Sequence, residues 1–196
     1  MNKLLKRIII AVVSLALVCG YAFGFYKLNS RFPKASITEC PVGDTLNYRG
    51  ADLQILSAEL ATVEEVRKLY PLFMSDEDPV MTPLPEDQVR VLLVSMEVSN
   101  PSDAEQVATL YTSTAVSDSW SNGIHQFLFQ EINEEGASLN ALLAPGETRT
   151  VLLPYIMTEQ QFKANDWDNI ESRPYQLILE TYPEKLIMDI SVSHTN

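Results

Sequence analysis

Between Ile8 and Tyr26 the chain carries no charged side chain, whereas from residue 45 onward apolar and polar positions alternate in short runs. The first pattern predicts one continuous helix. Its 19 residues rise roughly 28 Å at 1.5 Å each, close to the ~30 Å hydrocarbon core of a bilayer. The second pattern predicts strands, because successive side chains on a strand face opposite sides.

Taken in order, "ADLQILSAEL" puts Leu53 and Ile55 on one face and Leu56, Ala58 and Leu60 on the other, so it predicts a strand with a bulge near Leu56. "VRVLLVSMEVSNPSD" predicts the clearest strand, with Leu92, Val94, Met96 and Val98 opposite Ser95, Glu97 and Ser99; Asn100-Pro101 ends it. "QVATLYTSTAVSD" and "IHQFLFQEI" read as two strands paired about a turn at Ser121–Gly123. In "LLAPGETRTVLLPY", Pro145 and Gly146 supply a turn, and Val151, Leu153 and Tyr155 then alternate with polar neighbours, so the motif leads into a strand. "PYQLILETY" and "EKLIMDISV" finish the series, with Tyr175, Leu177 and Leu179 inward, then Leu186, Met188, Ile190 and Val192, joined by a turn over Pro183–Lys185.

The period changes at "TVEEVRKLYP". Thr62 followed by Glu65 forms a capping box, Val63, Val66 and Leu69 or Tyr70 share a face, and Pro71 stops the helix. Thr158 and Gln161 repeat the capping logic for one helical turn. "FMSDEDPVMTPLPEDQ" reads as a long surface loop, and "NDWDN" as a loop whose Trp167 covers a sheet edge. Seven or eight short strands with two short helices make a mainly β, antiparallel sandwich. The expected organisation is a basic tail over 1–7, a transmembrane anchor or signal segment over 8–26, a linker over 27–44 and the sandwich over 45–196.

Charge narrows the partners. Three of the 14 basic residues precede the apolar run and none of the 26 acidic ones do, which leaves 11 basic against 26 acidic side chains and a net charge of −15. Such a surface repels phosphate backbones, so nucleic acid is excluded as a partner. The basic flanks Lys3, Lys6 and Arg7 are matched by Lys27, Arg31 and Lys34, and the short tail favours a cytoplasmic N-terminus. An uncleaved anchor fits the length of the run; a signal peptide cleaved after Ala22-Phe23-Gly24 is the alternative, and a lipidated Cys19 is disfavoured by the bulk of Val18.

Candidate chemistry is sparse. Cys40 is the single cysteine outside the apolar run, which leaves it without an internal disulfide partner. His125 and His194 are the two histidines, and no G-x-S-x-G elbow accompanies them, so His125 is expected to be an edge-strand residue and not a catalytic base. Asp76–Asp78 lacks the spacing of a calcium loop, and one histidine with one cysteine falls short of a zinc site. No catalytic residue, metal ligand or cofactor is therefore expected.

The strings "VLLVSMEVSNPSD", "LLAPGETRTVLLPY" and "QLILETYP" resemble the uncharacterised immunoglobulin-like extracytoplasmic domains that follow a membrane anchor or signal peptide in Gram-positive bacteria. The resemblance spans roughly residues 45 to 193 and implies an immunoglobulin-like sandwich; it brings no catalytic residues. The expected function is a membrane-anchored extracytoplasmic protein-interaction module without catalytic activity, held in the membrane through residues 8–26, its partner a protein or a cell-wall polymer. An accessory subunit acting through its transmembrane helix, or a carboxylate- or metal-assisted enzyme, are the alternatives.

Overall fold

The computed structural model describes residues 3–32, 34–78 and 84–193. The chain divides into two units, Met1–Ala35 and Ser36–Asn196. The first is a single helix, α1 (Lys3–Arg31). Its segment Leu5–Arg31 is long and apolar enough to cross a membrane, and none of the 18-residue window that defines it is buried by protein.

The second unit is a β-sandwich. Its strands are β1 (Ser36–Cys40), β2 (Thr45–Tyr48), β3 (Ala51–Ala61), β4 (Val89–Ser99), β5 (Gln106–Thr109), β6 (Thr114–Ser117), β7 (Trp120–Gly123), β8 (Asn140–Leu143), β9 (Thr148–Thr158), β10 (Tyr175–Glu180), β11 (Glu184–Ile190) and β12 (Val192–Ser193). One sheet runs β1-β11-β10-β6-β7, the other β12-β3-β4-β9 with β2 also on β3, and β5 pairs β8 in a small third sheet. Most ladders are antiparallel, but β1 joins β11 and β12 joins β3 in parallel, which the expectation of a purely antiparallel sandwich omitted.

The two large sheets bury Leu53, Ile55, Leu92, Val94, Met96, Leu153 and Tyr155 against Tyr175, Leu177, Leu179 and Met188. The inward sets expected from alternation are the ones that pack here, and the bulge falls on Leu56, where the β3–β4 register shifts between Ile55 and Ser57. The first half of β4 is buried on both faces. Val89, Val91 and Leu93 turn away from the main core and meet Ile156, Val63, Val66, Tyr70 and Phe73 in a second cluster. Helix α2 (Val63–Leu69) brings Val63 and Val66, and its capping box is complete: the Thr62 N–H donates to Glu65 Oε2 at 2.7 Å, and the Glu65 N–H to Thr62 Oγ1 at 3.3 Å.

Several expectations are corrected. Of the expected linker, residues up to Arg31 are helical and Ser36–Cys40 forms β1, paired with Glu184–Met188; its pattern hid it because an edge strand can leave most of its side chains exposed. "IHQFLFQEI" is not a strand but helix α3 (Gln126–Ile132), because the His125 Nδ1 caps the Leu128 N–H at 3.1 Å, and Leu128 and Phe129 then pack into different clusters. The preceding turn falls at Asp118, with a φ of 49°, and Ser121–Gly123 lie within β7. "NDWDN" carries a short helix, α4 (Ala164–Asp168), and Lys185 lies in β11 opposite Ile37, so the last turn comes earlier than Pro183–Lys185.

Candidate functional site

The site is built from the strand that the Pro-Gly turn opens. Asn100, 1% exposed at the end of β4, is the knot that fixes it. Its Nδ2 donates to the carbonyls of Ala104 at 2.8 Å and of Leu143 and Ala144 at 3.1 Å, while its Oδ1 accepts the Ser102 N–H at 3.0 Å and hydroxyl at 2.7 Å. Main-chain bonds complete the tie: the Asn100 N–H donates to Glu147 O at 2.9 Å, and the Gly146 N–H to Asn100 O at 3.0 Å. Gly146 has a φ of +73°, which a side chain would disfavour. Glu147 then caps the Ala144 N–H at 2.7 Å and pairs with Arg149, and those two partners, in that order, hold its carboxyl below the usual range. The Asn-Pro and Pro-Gly-Glu motifs, 45 residues apart in sequence, are thus one structural device.

From this knot β9 runs along the border of its sheet, with β4 on one side only. Asn133 establishes which main-chain groups face outward, since its Oδ1 accepts the Leu152 N–H at 2.8 Å and its Nδ2 donates to Leu152 O at 2.9 Å. Alternate residues of an antiparallel strand share that direction, so residues 148, 150, 154, 156 and 158 face outward too. The later ones have partners: the His125 N–H donates to Pro154 O at 2.9 Å, Asn122 Nδ2 to Ile156 O at 2.8 Å, and the Thr158 N–H to Gln161 Oε1 at 3.0 Å. Thr148 and Thr150 have none among the described residues.

Beside these two threonines lies a cavity of about 710 Å³. Thr148–Val151 line it as the near wall and the segment Asn133–Ser138 as the far wall, and Ala141 also lines it. Glu134 and Glu135 are exposed on the far wall, and nothing among the described residues pairs with them. A second cavity of about 430 Å³ lies over β6 and β10, bordered by the Arg49–Glu180 ion pair at 3.3 Å and by Tyr48, whose buried hydroxyl has no hydrogen-bond partner among the described residues.

The residues singled out in the sequence take structural places. His125 is a helix cap whose pKa is lowered, chiefly by burial. Cys40 is buried, and burial first, then Asp44 and Asp189, push its thiol up. Asp78 accepts the Met74 N–H at 2.7 Å. Trp167 packs on Phe162, ring centres 5.6 Å apart, and Phe162 stacks on Trp120 at 5.8 Å. Tyr175 donates its hydroxyl to Ile170 O at 2.8 Å, and burial pushes its pKa up to about 12. No group of three His, Cys, Asp or Glu side chains able to hold a metal occurs among the described residues. His194 lies outside them. Sequence reading missed Asn122 and Asn133, whose residue type signals a turn and not a side chain standing in for a missing strand.

Residues 34–186 match the family described as "Domain of unknown function (DUF5028)". The chain belongs to the DUF5028 family. No curated protein matches its sequence. Among solved structures, this DUF5028 chain is similar to an uncharacterised β-sandwich protein from Clostridium difficile 630, at 11% identity and a TM-score of 0.45, covering 81% of this chain and 97% of that one. It is similar to a functionally unknown protein from Listeria monocytogenes EGD-e, at 11% identity and a TM-score of 0.49 over 76% and 82% of the two chains. It is also similar to MPT63, a secreted protein from Mycobacterium tuberculosis, at 12% identity and a TM-score of 0.48 over 80% and 99%.

Proposed function

We propose that this DUF5028 chain is a non-catalytic, extracytoplasmic protein-interaction module that α1 holds in the cell membrane. The observation that carries the reading is α1 itself, a 29-residue helix whose described apolar side chains are exposed along its length, the arrangement that lipid stabilises and water does not. The ionisable groups drawn into the sandwich support the non-catalytic half of the reading. Arg173 is held by Ser117, by Asp118 at 2.9 Å and by Asp166 at 3.3 Å, and His125 is committed to capping. The test is cross-linking in intact cells, followed by mass spectrometry of the chain recovered from washed membranes. An intact N-terminus together with a cross-linked protein is expected. A chain beginning after residue 24 would contradict the anchor, and recovery without any cross-linked protein would contradict the interaction role.

A second reading, an accessory subunit acting through the helix, is favoured by Gly20 and Gly24, four residues apart on α1, with open space where a Cβ would sit. That spacing lets two membrane helices approach closely. Replacing Ile8–Tyr26 with an unrelated anchor separates the readings: retained partner capture favours the module, and loss favours the subunit.

A further inference from the structure

We infer that the first half of β9 is a docking edge for an extended peptide segment of a protein partner, one that carries a basic side chain. The inference rests on the interaction-module reading and names its contact surface. The support begins with the strand's hydrogen-bond accounting. A sheet edge is a template for another strand, and proteins ordinarily blunt it. Along β9, at each outward residue from Leu152 to Thr158, a side chain or a loop amide takes the place of an absent neighbour strand: Asn133, His125, Asn122 and Gln161. The series then stops. Thr148 and Thr150 offer two N–H donors and two carbonyl acceptors to the space beside them, and that space is the 710 Å³ cavity.

The knot at Asn100 and Gly146 holds these residues in strand geometry, so an incoming segment meets a fixed edge and little ordering is lost on binding. Across the cavity, the far wall supplies specificity. Glu134 and Glu135 carry two unneutralised charges there, while Arg149 is already paired with Glu147. An extended segment hydrogen-bonded to Thr150 lies between that strand and the wall, where a long Lys or Arg side chain can turn to the two carboxylates. A second copy of this chain is a poorer occupant, because it would bring its own acidic wall to the same place.

The full chain in lipid nanodiscs, panned against a displayed library of random heptapeptides, provides the test. Enriched peptides are expected to hold Lys or Arg in an otherwise β-branched, extended pattern. Thr150→Pro deletes the outward N–H and leaves the β4 ladder intact, since the N–H it removes points away from β4. One lost hydrogen bond lowers affinity about three- to tenfold, and Thr150→Ala, which keeps the main-chain donor, binds as the parent does. Glu134→Gln with Glu135→Gln lowers affinity for the basic peptides and raises the salt insensitivity of what remains. An absence of enriched peptides, or peptides indifferent to Thr150→Pro, overturns the site, as does self-association of the chain that Thr150→Pro abolishes. Loss of this site while Thr150→Pro still cross-links a protein in cells would leave the module reading standing; loss of every cross-linked protein from the parent chain would remove both.

Discussion

The two halves of β9 share one strand, one ladder and one neighbour, yet their outer edges are treated oppositely. From Leu152 to Thr158 each outward residue has at least one main-chain group met by asparagine, glutamine or a loop amide; Thr148 and Thr150 have none met among the described residues and border a cavity that Glu134 and Glu135 also line. The difference teaches that the protein protects its edge where α3 and its flanking segments pass over it and leaves it open where the chain departs toward Glu134–Ser138. Neither half is a default. An unplugged edge is a template for unwanted pairing, and under the docking proposed above the open half has a use, the receiving of a strand.

Substitutions that break the contrast should rank by how much buried hydrogen bonding each removes. The largest effect is expected from Asn100→Ala, which strands the carbonyls of Leu143 and Ala144 and loosens the turn at the head of β9. A loss of about 3 kcal/mol, read by urea unfolding of the full chain, is the expected outcome. Asn133→Ala follows at about 2 kcal/mol, because both main-chain groups of Leu152 lose their partner, and it should add Leu152 to the open edge. Asn122→Ala removes one bond, to Ile156 O, and should cost about 1 kcal/mol. Thr150→Pro should sit at the bottom of the series, below about 1 kcal/mol, because the N–H it removes has no partner among the described residues and an edge strand admits proline there.

His125 sharpens the same contrast through pH. Its Nδ1 must be unprotonated to accept the Leu128 N–H, and burial lowers its folded pKa, while the nearby Asp78 charge opposes that shift. A lowered folded pKa means the folded state favours the neutral ring. Its contribution is therefore complete above the unfolded value of about 6.5 and is lost as pH falls through the folded one. Unfolding titrations of the parent should weaken over that acidic range more than those of His125→Asn, which keeps a capping acceptor without a proton to gain.

Much of this architecture is legible in the residues, and where it is not the reasons are physical. The β4 alternation, the bulge at Leu56 and the Thr62/Glu65 box each follow from a local rule that tertiary context left unopposed. Helix α3 escaped because "IHQFLFQEI" satisfies a strand period, and its capping residue is a histidine, whose ring nitrogen caps only in one protonation state. β1 escaped because its exposed edge carries little hydrophobic pattern. The Pro-Gly-Glu motif spells a turn leading into a strand, and it is one; the cavity beside that strand comes from a loop 10 to 15 residues upstream, which no local window connects to it.

Backbone amide hydrogen exchange on the full chain in nanodiscs, alone and with a selected basic peptide, tests the central claim most directly. In the free chain the Leu152 and Thr158 amides should be protected and the Thr150 amide should exchange quickly; with peptide bound, Thr150 should slow while the other two stay as they were. A Thr150 amide already protected in the free chain, or one unchanged by the bound peptide, would contradict the docking edge.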